Sequence, residues 1–433
     1  MAEGSGRLRS AVVTVGDELL LGETTDTNAA WLARELARRG IPVARRWTVG
    51  DEAGAIGDAV TAALETAELV LVSGGLGPTP DDLTRDAVAD LLDRPLEEDA
   101  EILERIRTRF RERGVEELPK PNRRVAQVPR GARTLGNPHG TAPGLALDAA
   151  EGRHLILLPG VPRELRGIVD GALDGLLEDW FGDRLPPVYM RVLHTTGIPE
   201  SLLSQRVDEL LPDDLGPVRL AFLPDRRGVD LRLTAVGVEE AEAERWFDRV
   251  EEALAPVVDP WRFEASGGDL VESVSEALRR AGTTVATAES CTGGLVAQRL
   301  TARPGSSEVF LGGVVAYADH VKTELLGVPS ELLAEHGAVS EGVARALAEG
   351  AVSRFGAGAG IGITGVPGPG GGTEAKPVGT VWYAVAWDGR VVARRERFPG
   401  DREEVRDRSA QTALALLLRA LEGRLDEDGA PDA

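Results

Sequence analysis

Short apolar runs alternate with stretches of helical spacing along most of the chain. The run Ala11-Val12-Val13-Thr14-Val15 predicts a buried strand. After Asp26-Thr27-Asn28, leucines and alanines recur at helical spacing through Leu36, with a stop at Gly40. A helix over 53–65 leads to a second strand, Leu69-Val70-Leu71-Val72, and a third is read at 154–158 ahead of another helix. Such alternation predicts an α/β domain, a doubly wound parallel sheet covered on both faces. The pattern changes over 184–259, where strand (188–194), helix (201–210), strands (218–223 and 229–238) and a helix through Leu254 predict a small α+β domain. Residues 256–268 read as a linker. Beyond them the β-branched and small run 283–288 predicts a buried strand, and 295–300 returns to helical spacing.

Ser290 therefore sits at a strand-to-helix turn, in Glu289-Ser290-Cys291-Thr292-Gly293-Gly294. A nucleophile there has its hydroxyl exposed at the sheet edge, and the amides of Gly293, Gly294 and their neighbours can face a developing oxyanion. The plainer reading is a serine that only caps the helix. Downstream, the strand starting at Phe310 runs into a helix start and places Tyr317 and Lys322 just past the strand's end. A serine hydroxyl needs a base, and a lysine whose pKa is lowered by burial or a neighbouring cation can serve, with Tyr317 relaying or orienting the proton. His320 is the rival base and Cys291 the rival nucleophile, and spacing alone leaves both open.

The amino-terminal strands end in three glycine-bearing turns: Gly16-Asp17-Glu18, Ser73-Gly74-Gly75-Leu76-Gly77-Pro78-Thr79 with Asp81-Asp82 following, and Pro159-Gly160. In parallel sheets ligands bind outside the carboxyl ends of the strands, where all three turns are expected to converge. Gly74, Gly75 and Gly77 let backbone amides approach an anion, and Asp17, Glu18, Asp81 and Asp82 offer hard oxygen ligands to a divalent cation. Phosphate plus metal is the expected chemistry.

Composition narrows the partners. The chain has 433 residues, enough for two to four domains, with 42% hydrophobic and 28% charged residues. A net charge of -22 opposes binding to a nucleic-acid backbone, and the middle domain has no Gly-x-x-Gly loop of the kind that clamps one. A single cysteine excludes an intrachain disulfide framework and a cysteine-ligated zinc site. The first ten residues lack an apolar signal core and no stretch approaches membrane-spanning length, so a cytoplasmic protein with no membrane partner is expected. The acidic tail after Arg424 is expected to fray.

The motifs carry a resemblance. Glu289 to Gly294, Pro304-Gly305-Ser306-Ser307, Gly337-Ala338-Val339-Ser340 and Lys376-Pro377-Val378-Gly379 resemble the amidase domain of the CinA family, the nicotinamide-nucleotide amidohydrolases. The resemblance implies that Ser290 is the nucleophile, Lys322 the general base and Tyr317 its assistant. It implies substrate contacts at Glu289, Gly293, Gly294, Gly305, Ser306, Ser307, Thr364 and Gly365, and the deamidation of nicotinamide mononucleotide. The family usually reads Thr-Gly-Ile-Ala-Gly-Pro where this chain has Thr364-Gly365-Val366-Pro367-Gly368-Pro369, so any phosphate contact made by an amide at 367 is absent.

The amino-terminal motifs, including Gly16 to Leu20, Asp26 to Asn28, Gly74 to Thr79, Asp81 to Thr84, Gly140 to Gly144 and Leu158 to Pro162, are similar to the CinA amino-terminal domain and its molybdopterin-binding-like fold. That resemblance implies nucleotide binding at Gly16, Asn28, Gly74, Gly75, Gly77, Thr79 and Gly160, metal at Asp17, Glu18, Asp81 and Asp82, and ADP-ribose pyrophosphatase activity with Co2+ or Mg2+. Three domains are expected, over 1–178, 184–258 (KH-like) and 265–424, in a homodimer. The alternative is a non-catalytic module that binds a pterin or nucleotide, or a protein partner in competence or DNA damage.

Overall fold

The structure, a computed structural model, describes residues 8–425 except 113, 116, 213 and 266; the expected fraying over 426–433 lies outside the described residues. The chain divides into two compact units, Met1–Tyr189 with Ala235–Glu240, and Met190–Thr234 with Ala241–Ala433. The middle segment, read from the sequence as a separate KH-like domain, shares the second unit with the carboxy-terminal segment.

The first unit contains β1 (Ser10–Val15), α1 (Asp17–Leu20), α2 (Thr27–Arg38), β2 (Val43–Val49), α3 (Ala53–Thr66), β3 (Leu69–Ser73), α4 (Thr84–Leu91), β4 (Leu96–Glu98), α5 (Ala100–Glu112), β5 (Gln127–Pro129), β6 (Arg133–Leu135), β7 (Gly144–Ala150), β8 (Arg153–Leu158) and α6 (Pro162–Phe181). Its main sheet has the order β2-β1-β3-β8-β7-β6. Strands β2, β1, β3 and β8 are parallel, and β7 and β6 join antiparallel. Successive side chains of a strand point to opposite faces. Ala11, Val13 and Val15 accordingly pack with Ile56 and Val60 of α3, while Val12 packs with Leu32 and Leu36 of α2 and Leu165 and Ile168 of α6. Both faces are covered, as expected. The antiparallel edge was not expected: β6 has three residues, and the Gly- and Pro-punctuated stretch before β7 carries no strand period.

The second unit holds β9 (Val188–Thr195), α7 (Glu200–Leu210), β10 (Val218–Pro224), β11 (Val229–Val236), α8 (Glu240–Val258) and β12 (Arg262–Phe263). It continues through α9 (Leu270–Arg280), β13 (Val285–Glu289), α10 (Leu295–Thr301), β14 (Phe310–Val315), α11 (Asp319–Leu326), α12 (Ser330–His336), α13 (Glu341–Phe355), β15 (Ala359–Gly365), β16 (Thr380–Trp387), β17 (Arg390–Arg397) and α14 (Arg402–Leu421). A four-stranded sheet, β10-β11-β9-β12, is followed by a five-stranded one, β14-β13-β15-β16-β17.

The linker expected over 256–268 is shorter than that. Pro256 lies inside α8, and Arg262 and Phe263 pair with Thr195 and His194 of β9. Buried Leu254 and Val258 hold the end of α8 on its core, which offsets the i to i−4 hydrogen bond that Pro256 removes from the last turn. In the five-stranded sheet, α9 and α14 cover one face and α11 and α13 the other. No helix among the described residues is long and apolar enough to cross a membrane.

Candidate active site

Strands β14, β13 and β15 run parallel side by side, so their carboxyl ends form one edge. Ser290 follows β13 at the centre of that edge. Its amide donates to Ile363 O of β15 (2.9 Å), and on the other side Ala316 N donates to Glu289 O (2.7 Å), which brings Tyr317 alongside. Ser290 is 9% exposed. The turn reaches α10 through Gly293 (φ 62°) and Gly294 (φ 91°), left-handed conformations that glycine adopts without strain.

Ser290 does not cap α10. The N-cap is Gly294, and the capping work falls to Glu289, which is 1% exposed. Its Oε2 accepts from the amides of Gly294 (3.0 Å) and Val296 (3.1 Å), and its Oε1 from Ala297 N (2.9 Å). Two sequence expectations are corrected by this arrangement. Glu289 lies beneath the turn with its carboxylate spent on three amides, so it is no substrate contact. Gly294 N is one of those three and Gly293 N donates to Ser290 O (3.2 Å), so neither amide is left for an oxyanion.

Lys322 is far from the surface lysine that composition favours: it is 1% exposed, on the first turns of α11. Its Nζ donates to Tyr317 O (3.1 Å) and to Asp319 Oδ1 (3.0 Å), which ties it to the segment leaving β14. The Tyr317 ring is 61% exposed, and its hydroxyl accepts from Arg402 Nη2 (3.0 Å). Arg402 also donates through Nη1 to Gly368 O (2.6 Å), joining Tyr317 to the glycine-proline loop. Thr364 is buried and donates to Ala338 O (2.8 Å); Gly365 lies against Thr380 O and Val381, and both stand at the end of β15 beside Ser290. Gly305, Ser306 and Ser307 are not at this edge. They precede β14, whose neighbour Val309 pairs with Val285 at the amino end of β13, about 16 Å from Ser290 at roughly 3.3 Å per residue. Their expected substrate contact is thereby corrected.

In the first unit, Asn28 ties the expected turns together: its Nδ2 donates to Ser73 Oγ (3.0 Å) and to Gly160 O (2.7 Å), and Gly74 N donates to Leu158 O (3.0 Å). At Gly74 (φ 114°) a Cβ would stand 2.1 Å from Val15 O, so the turn packs directly on the end of β1. Gly16 N is spent on Val49 O (3.0 Å), and Gly75 O accepts from Thr84 N (3.2 Å).

Three family models match the chain: "Probable molybdopterin binding domain" over 11–178, "Damage-inducible protein CinA KH domain" over 190–263 and "CinA C-terminal domain" over 268–421. A CinA-like protein of Gemmatimonas aurantiaca is 48% identical over 417 residues, 96% of this chain and 97% of its own. The chain belongs to the CinA family. A CinA-like protein of Salinibacter ruber is 42% identical over 96% of this chain and all of its own length. Among solved structures, CinA of Thermoplasma acidophilum is 36% identical over 40% of this chain and 99% of its own, with a TM-score of 0.37.

The rivals within this CinA chain fare differently from Ser290 and Lys322. Cys291 is 4% exposed, and burial pushes its thiol up to about 12, which leaves almost no thiolate near neutrality. His320 is exposed on the outer side of α11. Arg402, Arg406 and Asp319 were not singled out from the sequence. Arg406, on α14, donates to Thr292 O (2.7 Å) within the serine turn. None of the three lies in a motif, and Arg402 and Arg406 reach the site only through the folding of α14.

The metal residues expected in the first unit do not fit a preformed ion site. Asp82 is spent inside its own turn: Oδ1 accepts from Gly77 N (2.7 Å) and Oδ2 from Thr79 N and Thr79 Oγ1. Asp17 Oδ1 accepts from Asp51 N (3.2 Å). Among the described residues no three His, Cys, Asp or Glu side chains group as a metal ligand set. Thr79, expected at the nucleotide, is likewise committed to Asp82.

Proposed function

We propose that the carboxy-terminal segment hydrolyses the carboxamide of nicotinamide mononucleotide. The observation that supports this most is the gathering of Ser290, Tyr317 and a fully buried Lys322 at one sheet edge, with the rival cysteine held as a thiol. Ser290 Oγ attacks the carboxamide carbon while Lys322 takes its proton, and the tetrahedral adduct collapses as that proton passes to the departing nitrogen, releasing ammonia. Water then cleaves the acyl-serine ester, giving nicotinate mononucleotide and restoring the hydroxyl. Tyr317 orients the proton path through the carbonyl and hydroxyl at its two ends.

The test is incubation with nicotinamide mononucleotide, following ammonia and nicotinate mononucleotide. Activity retained in Cys291→Ala and lost in Ser290→Ala and Lys322→Ala is the expected result; a folded wild type without activity refutes the reading. For the first unit the proposal is that the turns joined by Asn28 take the diphosphate of a nucleotide such as ADP-ribose. Incubation with ADP-ribose and Co2+ or Mg2+ separates two outcomes: AMP with ribose 5-phosphate identifies a pyrophosphatase, and retention of intact ADP-ribose a binding module. Both chemistries would serve pyridine-nucleotide salvage.

A further inference from the structure

A line of buried polar groups runs from the middle segment through α14 to α10, the helix that follows the serine turn. Arg299, on the helix that the turn opens, is 7% exposed and donates through Nη2 to Gln411 Oε1 on α14 (2.6 Å). Gln411, 4% exposed, donates through Nε2 to Thr196 Oγ1 (3.2 Å). Thr196, which follows β9, donates in turn to Arg227 O (2.7 Å). Its carbonyl accepts from Arg419 Nη2 (2.6 Å), whose guanidinium lies 5.2 Å from the Trp261 ring centre. On the same side of α14, Arg227 Nε stands 3.6 Å from Asp407 Oδ2, and the next residue back, Arg406, holds Thr292 O.

The line has a direction because an amide has two different ends. Arg299 must meet the oxygen of Gln411, and its other terminal nitrogen, Nη1, is buried with no hydrogen-bond partner among the described residues. The Thr196 hydroxyl, which spends its proton on Arg227 O, is placed to accept from Nε2 and so favours the same orientation of the Gln411 amide that Arg299 requires. Were the amide to turn over, a nitrogen would face a buried cation, and the hydrogen bond from α10 to α14 would be lost.

We propose that the middle segment is a positioning element of the Ser290 centre, acting through Thr196 and Gln411 on the helix that follows the nucleophile. It is more than a spacer. The proposal rests on the amidase reading for its nucleophile as well as its substrate.

The test uses the full chain with Thr196→Val, which keeps the shape and removes the hydroxyl, and Thr196→Ser, which restores it. The expected result is a fall in kcat for nicotinamide mononucleotide on the order of tenfold in Thr196→Val, KM within about twofold, and recovery in Thr196→Ser. A lowered melting temperature with unchanged kcat overturns the proposal, as does equal loss in both variants. If wild type leaves nicotinamide mononucleotide intact but Ser290 is labelled by a fluorophosphonate, the substrate reading fails and the labelling rate becomes the readout. Slower labelling in Thr196→Val, restored in Thr196→Ser, supports positioning; equal rates refute it. Should Thr196→Val fail to fold, Gln411→Glu, which accepts from Arg299 and cannot donate to Thr196, is expected to slow the same step, and an unchanged rate refutes the proposal.

Discussion

Glu289 offers the sharpest separation between holding the turn and touching substrate. In Glu289→Gln the amide oxygen can keep the position that serves Gly294 N and Val296 N, while the new NH2 group faces Ala297 N. One hydrogen bond to a charged acceptor, about 1.5–3 kcal/mol, is lost and two others fall to the neutral range of about 0.5–1.5 kcal/mol. Relief from burying a carboxylate that is 1% exposed offsets part of this, leaving about 2–3 kcal/mol. For a unit of this size that is about 4–12 °C in melting temperature. Glu289→Ala leaves one buried and two part-buried amides unpaired and costs about 3 kcal/mol or more. Calorimetry of both variants, beside kcat and KM for nicotinamide mononucleotide, separates the two roles. Turn-holding predicts a lower melting temperature together with lower kcat. A melting temperature within about 1 °C of wild type and a raised KM would show that the carboxylate reads substrate and that the turn stands without it.

Three further outcomes follow from the geometry. Cys291, buried with its thiol pushed up to about 12, resists iodoacetamide at pH 8 until urea unfolds the protein, and prompt labelling of the native chain contradicts its burial. Asn28→Ala removes the bonds to Ser73 Oγ and Gly160 O; titration calorimetry is expected to show ADP-ribose bound at least about tenfold more weakly, with amidase kinetics unchanged. Burial first, and then Asp17, Glu18 and Asp81, hold the Asp51 carboxyl above its ordinary range, opposed by the amide of Asp17. A raised carboxyl binds its proton more tightly folded than unfolded, so its contribution is largest in acid and is lost as pH rises through the folded value. Asp51→Asn, able to keep the bond to Asp17 N, is therefore expected to raise the melting temperature of the first unit at pH 7 and to lose that advantage at pH 3; an advantage independent of pH refutes the repulsion.

The elements with a strong local period were legible. The strand and helix around Ser290 fall at Val285–Glu289 and Leu295–Thr301, close to their expected places, and the placement of Tyr317 and Lys322 past β14 followed from the same reading. What escaped was whatever depends on distant segments meeting. A glutamate before a glycine turn looks the same in sequence whether it faces ligand or the helix beneath it, and only burial distinguishes them. The run Gly305-Ser306-Ser307 has the composition of a binding loop, yet lies at the amino ends of the strands because α10 carries the chain back across the sheet. Asp82 reads as a metal ligand until its turn closes on it, and Arg402, Arg406 and Gln411 are ordinary helix residues until α14 is laid against the serine turn.

The proline at 367 shows how a departure in a motif is absorbed. From the sequence it is an amide missing from any phosphate contact at 367. In the structure the loop is pinned on both sides of it: Val366 N donates to Thr380 O (2.8 Å), Gly379 N donates to Val366 O (2.8 Å), and Gly368 O is held by Arg402. A segment fixed this way does not depend on an amide at 367 for its own path. The same arginine grips the Tyr317 hydroxyl, so the position of the loop and the orientation of the tyrosine are set by one side chain. An anion that enters beside the loop would compete with Tyr317 and Gly368 for that guanidinium, so the proposed amidase mechanism predicts that substrate binding and the proton path past Tyr317 are linked through Arg402.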